Sequence, residues 1–178
     1  YISQQLDYAT FGSGEQQLKG NTLSALMTPL AKAFFTDLGL ENTIAGQQVL
    51  GGHGYVREWG QEQLVRDVRI AQIYEGTNGI QAMDLLLRKV VGSKGKMIAV
   101  FTKEVEHYIS SQSSAMDMVE FIMPLQSALE ELNEVTNILL ERSADNLNEI
   151  SVAANDYLHL LGYTAMAFVW AKMAEVSL

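Results

Sequence analysis

The chain has no cysteine, only two prolines, and few positive charges for its length of 178 residues. Without cysteine there can be no disulfide, no thiolate metal site and no cysteine nucleophile, and the composition fits a reducing compartment. Twelve Lys and Arg stand against 21 Asp and Glu, for a net charge of −9. The deficit is uneven. Residues 1–95 hold 8 basic and 9 acidic residues, net −1, whereas residues 96–178 hold 4 and 12, net −8. So acidic a segment is a poor surface for nucleic acid or anionic lipid. No apolar run is long enough to span a bilayer, because Asn155, Asp156, His159 and Lys172 break up the apolar C-terminal segment. Nor is there a charged and then apolar leader at the start. Strand-like alternation is absent throughout. With 48% hydrophobic residues the composition is that of a folded, helix-rich chain. It starts at Tyr1 rather than Met, which reads as a fragment of a longer protein. The expected setting is that of a soluble, cytoplasmic protein of bacterial type.

Helical periodicity fills most of the chain. Residues 1–16 are polar around Gly12-Ser-Gly14 and are expected to fray. Leu23, Leu26, Met27, Leu30, Phe34, Phe35 and Leu38 form one helical stripe. Pro29 either kinks that helix or opens a new one behind Thr28, and Gly39 is a plausible end. A helix from Glu41 to Leu50 should stop at the Gly51–Gly54 loop. Gln61–Tyr74 reads as helical, with Glu62 four residues before Arg66, and Ile80–Val91 as another helix. Gly92-Ser-Lys-Gly95 marks a unit boundary, giving a first unit of residues 1–93 and a second of 94–178. The second unit should hold a helix over Lys96–Ile109, a Ser110–Ser114 loop and a long helix from Met118 with a seam from Leu125 to Leu139. A last helix over 150–176, apolar nearly all round through Trp170 and Met173, should be the most buried of its unit. The seam would be either intrachain core or a dimer interface. The fold class is all-α, one or more up-and-down bundles.

The chemistry concentrates in Gln72-Ile-Tyr-Glu75-Gly-Thr-Asn-Gly79, where a carboxylate precedes a turn that opens a helix with Thr77 as N-cap. A carboxylate beside free helix N–H groups suits proton abstraction next to a carbonyl, although on local chemistry alone an exposed Glu in a turn reads the same way. Three motifs in order then resemble the C-terminal domain of the acyl-CoA dehydrogenases: Gln48-Val-Leu-Gly-Gly-His-Gly-Tyr-Val56, Arg66-Asp-Val-Arg69 and Ile73-Tyr-Glu-Gly-Thr77. Residues 96–178, ending in Leu161-Gly-Tyr-Thr-Ala and Trp170-Ala-Lys-Met173, resemble the helical C-terminal extension of one branch of that family, acetyl-CoA dehydrogenase-like.

The resemblance implies a four-helix bundle plus a second helical unit in a flavoprotein oxidoreductase of fatty acid metabolism, an FAD enzyme that desaturates acyl-CoA thioesters. Glu75 takes the place of the catalytic base, and Tyr74 and Gly76 lie beside the substrate. Gln48, Gly51 and Gly52 match a loop that reaches the FAD of a neighbouring subunit, and Thr77 matches a contact to the subunit's own FAD. Gly79 departs from the polar FAD contact common in the family. Arg66, Asp67 and Arg69 would support the base loop. Electron-transfer flavoprotein would be the acceptor and a homo-oligomer the working form, while the 178-residue chain alone would be inactive and hold FAD weakly or not at all. Two other readings stay open. Glu104-Val-Glu-His107 and Asp156-Tyr-Leu-His159, with Glu120, Glu130, Glu131 and Glu134, could form a carboxylate-bridged metal bundle. Alternatively, residues 96–178 form a non-enzymatic helical oligomerisation module.

Overall fold

The computed structural model describes residues 1–144 and 146–178, and those residues are all-α, with helices joined by short turns. Helix α1, Ile2–Phe11, lies against α2, Gly14–Leu50. The start is therefore packed rather than frayed. Tyr1 stacks edge-on against Phe168 with ring centroids 5.8 Å apart, and its hydroxyl donates to Glu104 at 3.1 Å. Burial, and then the charge of Glu104, pushes the Tyr1 phenol well above its ordinary range.

Helix α2 is one 37-residue element. It runs through Pro29, and Gly39 does not end it. A side-chain carbon at Gly39 would stand 3.3 Å from Val68, so this glycine lets a neighbouring helix approach closely. The apolar 3–4 spacing of Leu23, Leu26, Leu30, Ala33 and Phe34 puts one face of α2 in the core. Beyond Phe34 no residue of α2 is buried, and that distal half projects from the core.

After Gly51 the expected loop is a single helical turn, α3 (Gly52–Tyr55), and then a 3₁₀ turn over Arg57–Trp59. Helix α4, Gln61–Ala71, stops three residues short of the expected Tyr74. Helix α5, Asn78–Met83, continues into a π-helical stretch over Asp84–Val91, and the Gly92 N–H bonds the Leu87 carbonyl five residues back. Leu85, Leu86 and Val90 of this stretch are buried.

Helix α6, Lys96–Ser111, and α7, Val119–Arg142, form an antiparallel pair, and α8 (Leu147–Val152) leads into α9 (Ala154–Ser177). Leu125, Leu129, Leu132 and Leu139 are buried within the chain, which makes the seam intrachain core. Full burial of each such leucine contributes about 1.5–3 kcal/mol. Helix α9 packs on α7, α2 and α5 with one face only. Tyr157, Leu161 and Phe168 are buried, but Trp170 and Met173 are exposed, so the final helix is not buried all round. The Tyr157 hydroxyl shares a 2.8 Å hydrogen bond with Thr136, and burial pushes its phenol up to about 12, with Thr136 acting slightly against the shift. One apolar core joins α2, the π-helical stretch, α6, α7 and α9 across the Gly92–Gly95 turn.

Candidate functional site

The Glu75 loop is held by its ends. After α4 closes, Gln72 donates from Nε2 to Asp37 Oδ1 of α2 at 2.6 Å, and Arg69 donates to Gln72 Oε1 at 2.8 Å. At the other end, Asn78 donates from Nδ2 to the same Asp37 oxygen at 2.6 Å, to Thr36 Oγ1 at 2.9 Å and to the Ala33 carbonyl at 3.1 Å. Lys32 Nζ donates to Asn78 Oδ1 at 2.7 Å. The Asn78 N–H closes the loop on the Gln72 carbonyl at 3.2 Å. Both arms of the loop thus meet on one carboxylate oxygen.

Between these anchors Tyr74, Glu75, Gly76 and Thr77 are exposed. Glu75 has φ of 56° and Gly76 φ of 83°. Glycine takes the left-handed conformation freely, but at a glutamate it carries a cost of about 1–3 kcal/mol that the surrounding bonds must hold in place. Gln81 donates to the Glu75 carbonyl at 3.0 Å and fixes the peptide plane that follows. Among the described residues no protein acceptor takes the N–H of Glu75, Gly76 or Thr77. Thr77 occupies the N-cap position without a side-chain cap bond. The result is a carboxylate on a constrained backbone with free amide donors at its side.

Gln48, Gly51 and Gly52 lie at the far end of α2, all exposed. Gly51 has φ of 57° with ψ of −139°, a conformation that side-chain-bearing residues avoid. A side-chain carbon added at Gly51 or Gly52 would meet nothing within 4 Å, so the backbone here is open to close approach by a ligand. At 1.5 Å rise per residue, Asp37 and Gln48 stand about 16 Å apart along α2. The chain therefore keeps the Glu75 loop and the glycine corner as separate surfaces. His53 stacks edge-on against Trp59 at 4.8 Å and braces the corner.

Of the motif charges, Arg69 supports the loop through Gln72, while Asp67 accepts from Gln63 at 2.6 Å rather than from an arginine. The two carboxylate–histidine pairs do not converge. Glu104 accepts from Lys19 Nζ at 2.9 Å, His107 is exposed, and His159 turns away from Asp156 to Asp37 at 3.2 Å. Among the described residues no three His, Asp or Glu side chains come together as a metal site. Sequence reasoning passed over Asp37 and gave no role to Gln72 and Asn78 within the motif. Their signal was a set of polar side chains on one face of α2 and at both loop ends, and only the three-dimensional contact makes it legible.

Fold and loop together define an all-helical module that presents one constrained carboxylate. Residues 11–89 match the family model for the acyl-CoA dehydrogenase C-terminal domain, and residues 101–178 match the acetyl-CoA dehydrogenase C-terminal-like model. Over these two segments the chain is homologous to the C-terminal part of acyl-CoA dehydrogenases. The 3-methylmercaptopropionyl-CoA dehydrogenase of Ruegeria pomeroyi is 39% identical over 100 residues, covering 56% of this chain and 17% of that protein. A butyryl-CoA dehydrogenase of Syntrophomonas wolfei is 27% identical over 159 residues, covering 89% of this chain and 26% of the relative. The chain thus spans about a quarter or less of these curated relatives. The solved apo form of Bd2924 shares the fold over 98% of this chain and 29% of its own, with a TM-score of 0.63 at 19% identity.

Proposed function

We propose that this chain is the C-terminal part of an FAD-dependent dehydrogenase that introduces an α,β double bond into an acyl-CoA thioester. The observation that carries this reading is Glu75 itself, an exposed carboxylate on a left-handed backbone with its own N–H unpaired. In the proposed reaction the Glu75 carboxylate takes the α proton. The Glu75 N–H hydrogen-bonds the thioester oxygen as negative charge develops there, which is the stabilisation a carboxylate needs to act on so weak a carbon acid. Tyr74 and Gly76 flank the acyl group. FAD, when bound, supplies the acceptor for the hydride that leaves the β carbon. The open backbone at Gly51 and Gly52, with Gln48, fits the approach of a neighbouring subunit's FAD, and Thr77 fits the subunit's own. A side-chain carbon at Gly79 would also stand in open space, so that position offers no polar contact.

The arm formed by the distal half of α2 with α3 and α4 supports a homo-oligomer. Helix α4 has no buried residue, and Val49, Tyr55, Trp59, Leu64 and Ile70 are exposed around it. Such an apolar surface calls for a partner. We also retain the division into a dehydrogenase domain over 1–93 and a helical extension over 94–178. Electron-transfer flavoprotein is the proposed electron acceptor and the cytoplasm the proposed location. No described helix is long and apolar enough to cross a membrane.

The full-length protein supplied with acyl-CoA thioesters and an electron acceptor is expected to release 2-enoyl-CoA. Absence of enoyl product with short, long and branched thioesters, from flavin-loaded protein, would contradict the assignment. The 178-residue chain alone is expected to be colourless and inactive, since Glu75 and Gly51 are both exposed. Stoichiometric flavin on the purified chain would overturn that expectation.

A further inference from the structure

We propose that His159, on α9 of the C-terminal extension, is a positioning residue for the Glu75 loop and acts through Asp37. This rests on the reading of Glu75 as the base, but its geometry stands independently. Asp37 projects from α2 beyond the last core residue of that helix, Phe34. One carboxylate oxygen, Oδ1, receives both Gln72 and Asn78, the two ends of the loop. The other, Oδ2, faces His159 Nε2 at 3.2 Å. A carboxylate oxygen has only acceptor capacity to offer, so the His159 Nε2 facing Oδ2 carries the hydrogen and donates.

A carboxylate held only at Oδ1 can swing about its terminal torsion, which is broad in aspartate. A donor fixed on Oδ2 sets the plane of the group and aims Oδ1 at the loop. The imidazole is itself fixed. It meets Phe34 edge-on at 5.6 Å and Tyr163 at 6.3 Å, and it is only partly exposed. Phe34 is in turn pressed against α9 at Gly162, where a side-chain carbon would fall 2.5 Å from the ring. The chain of contact therefore runs from the extension core, through a ring, to a carboxylate, to both ends of the loop. It links the segment that matches the acetyl-CoA dehydrogenase-like model to the segment that matches the dehydrogenase domain. The extension so acquires a definite task at the site, namely holding the backbone on which Glu75 sits.

The test compares the wild-type chain with His159→Phe, which keeps the ring packing and removes the donor, and His159→Gln, which restores a donor. The readout is amide hydrogen exchange, followed by NMR, at Asn78 and Gln81, whose N–H groups close the loop on Gln72 and Thr77. His159→Phe is expected to speed exchange at Asn78 on the order of three- to tenfold, the scale of one net intramolecular hydrogen bond. Amides of α7 and the core turns of α9 should stay within about twofold on the same scale, and His159→Gln should return Asn78 to nearly wild-type exchange. Three outcomes would overturn the proposal: no acceleration at Asn78 in His159→Phe, equal acceleration throughout α7 and α9, or no recovery in His159→Gln. Asn78→Ala serves as the positive control for a loosened loop. None of these outcomes depends on what Glu75 does chemically. If Glu75 is not the base, turnover of the full-length Glu75→Gln enzyme reveals it while the exchange pattern stands.

Discussion

Glu75 pairs an unfavourable backbone with an exposed side chain, and the two facts bear on each other. Glu75 holds φ of 56°, and its exposed side chain makes no hydrogen bond or ion pair among the described residues. Selection for stability alone would favour glycine there, as at Gly76 beside it. The change Glu75→Gly is therefore expected to stabilise the chain by about 0.5–1 kcal/mol, read as a higher urea midpoint at unchanged slope. Destabilisation would mean that the carboxylate makes a structural contribution. The motif around Glu75 was legible in sequence, because residue identity and spacing carry it. The left-handed backbone was not, since it is imposed by Asp37, 38 positions earlier in the numbering. Thr77 shows the converse: a residue type suited to capping sits at the cap position without making the bond, because Asn78 binds α2 instead.

At the scale of elements, the long α2 explains why some boundaries were readable and others were not. Its apolar stripe named the buried face correctly as far as Phe34. Gly39 read as a helix end because local sequence cannot distinguish a glycine that stops a helix from one that admits another. The deciding fact is Val68, which packs over it from α4. Trp170 and Met173 read as core for a similar reason: they are apolar, but they lie on the face of α9 away from the buried Phe168 and Ala171. Tight packing joins α2 to α9 at Gly162. Gly162→Ala would place a methyl group against the Phe34 ring, and a loss of about 1–3 kcal/mol is expected from overpacking, measured by thermal or urea unfolding. A loss below a few tenths of a kcal/mol would show that Phe34 can move aside freely, and the His159 contact would then be looser than described.

For the whole molecule, one continuous core unites the matches to two family models. The charge split and the Gly92–Gly95 turn suggested a division into two units; the core shared across that turn was not legible, because α9 returns to α2 across more than a hundred residues of sequence. The distal arm carries Gln48, Gly51 and Gly52 away from the Glu75 loop, which suits a protein whose site is completed by other segments and by another subunit. The measurement that bears most directly on the proposed function is acyl-CoA-dependent flavin bleaching of the full-length protein, wild type against Glu75→Gln. Glutamine cannot accept the α proton yet nearly preserves shape, so the variant should keep its flavin and fail to bleach, with a loss of at least about 10²–10⁴-fold. Bleaching that persists at near wild-type rate in flavin-loaded Glu75→Gln would show that another group is the base, and would contradict the role given to this loop.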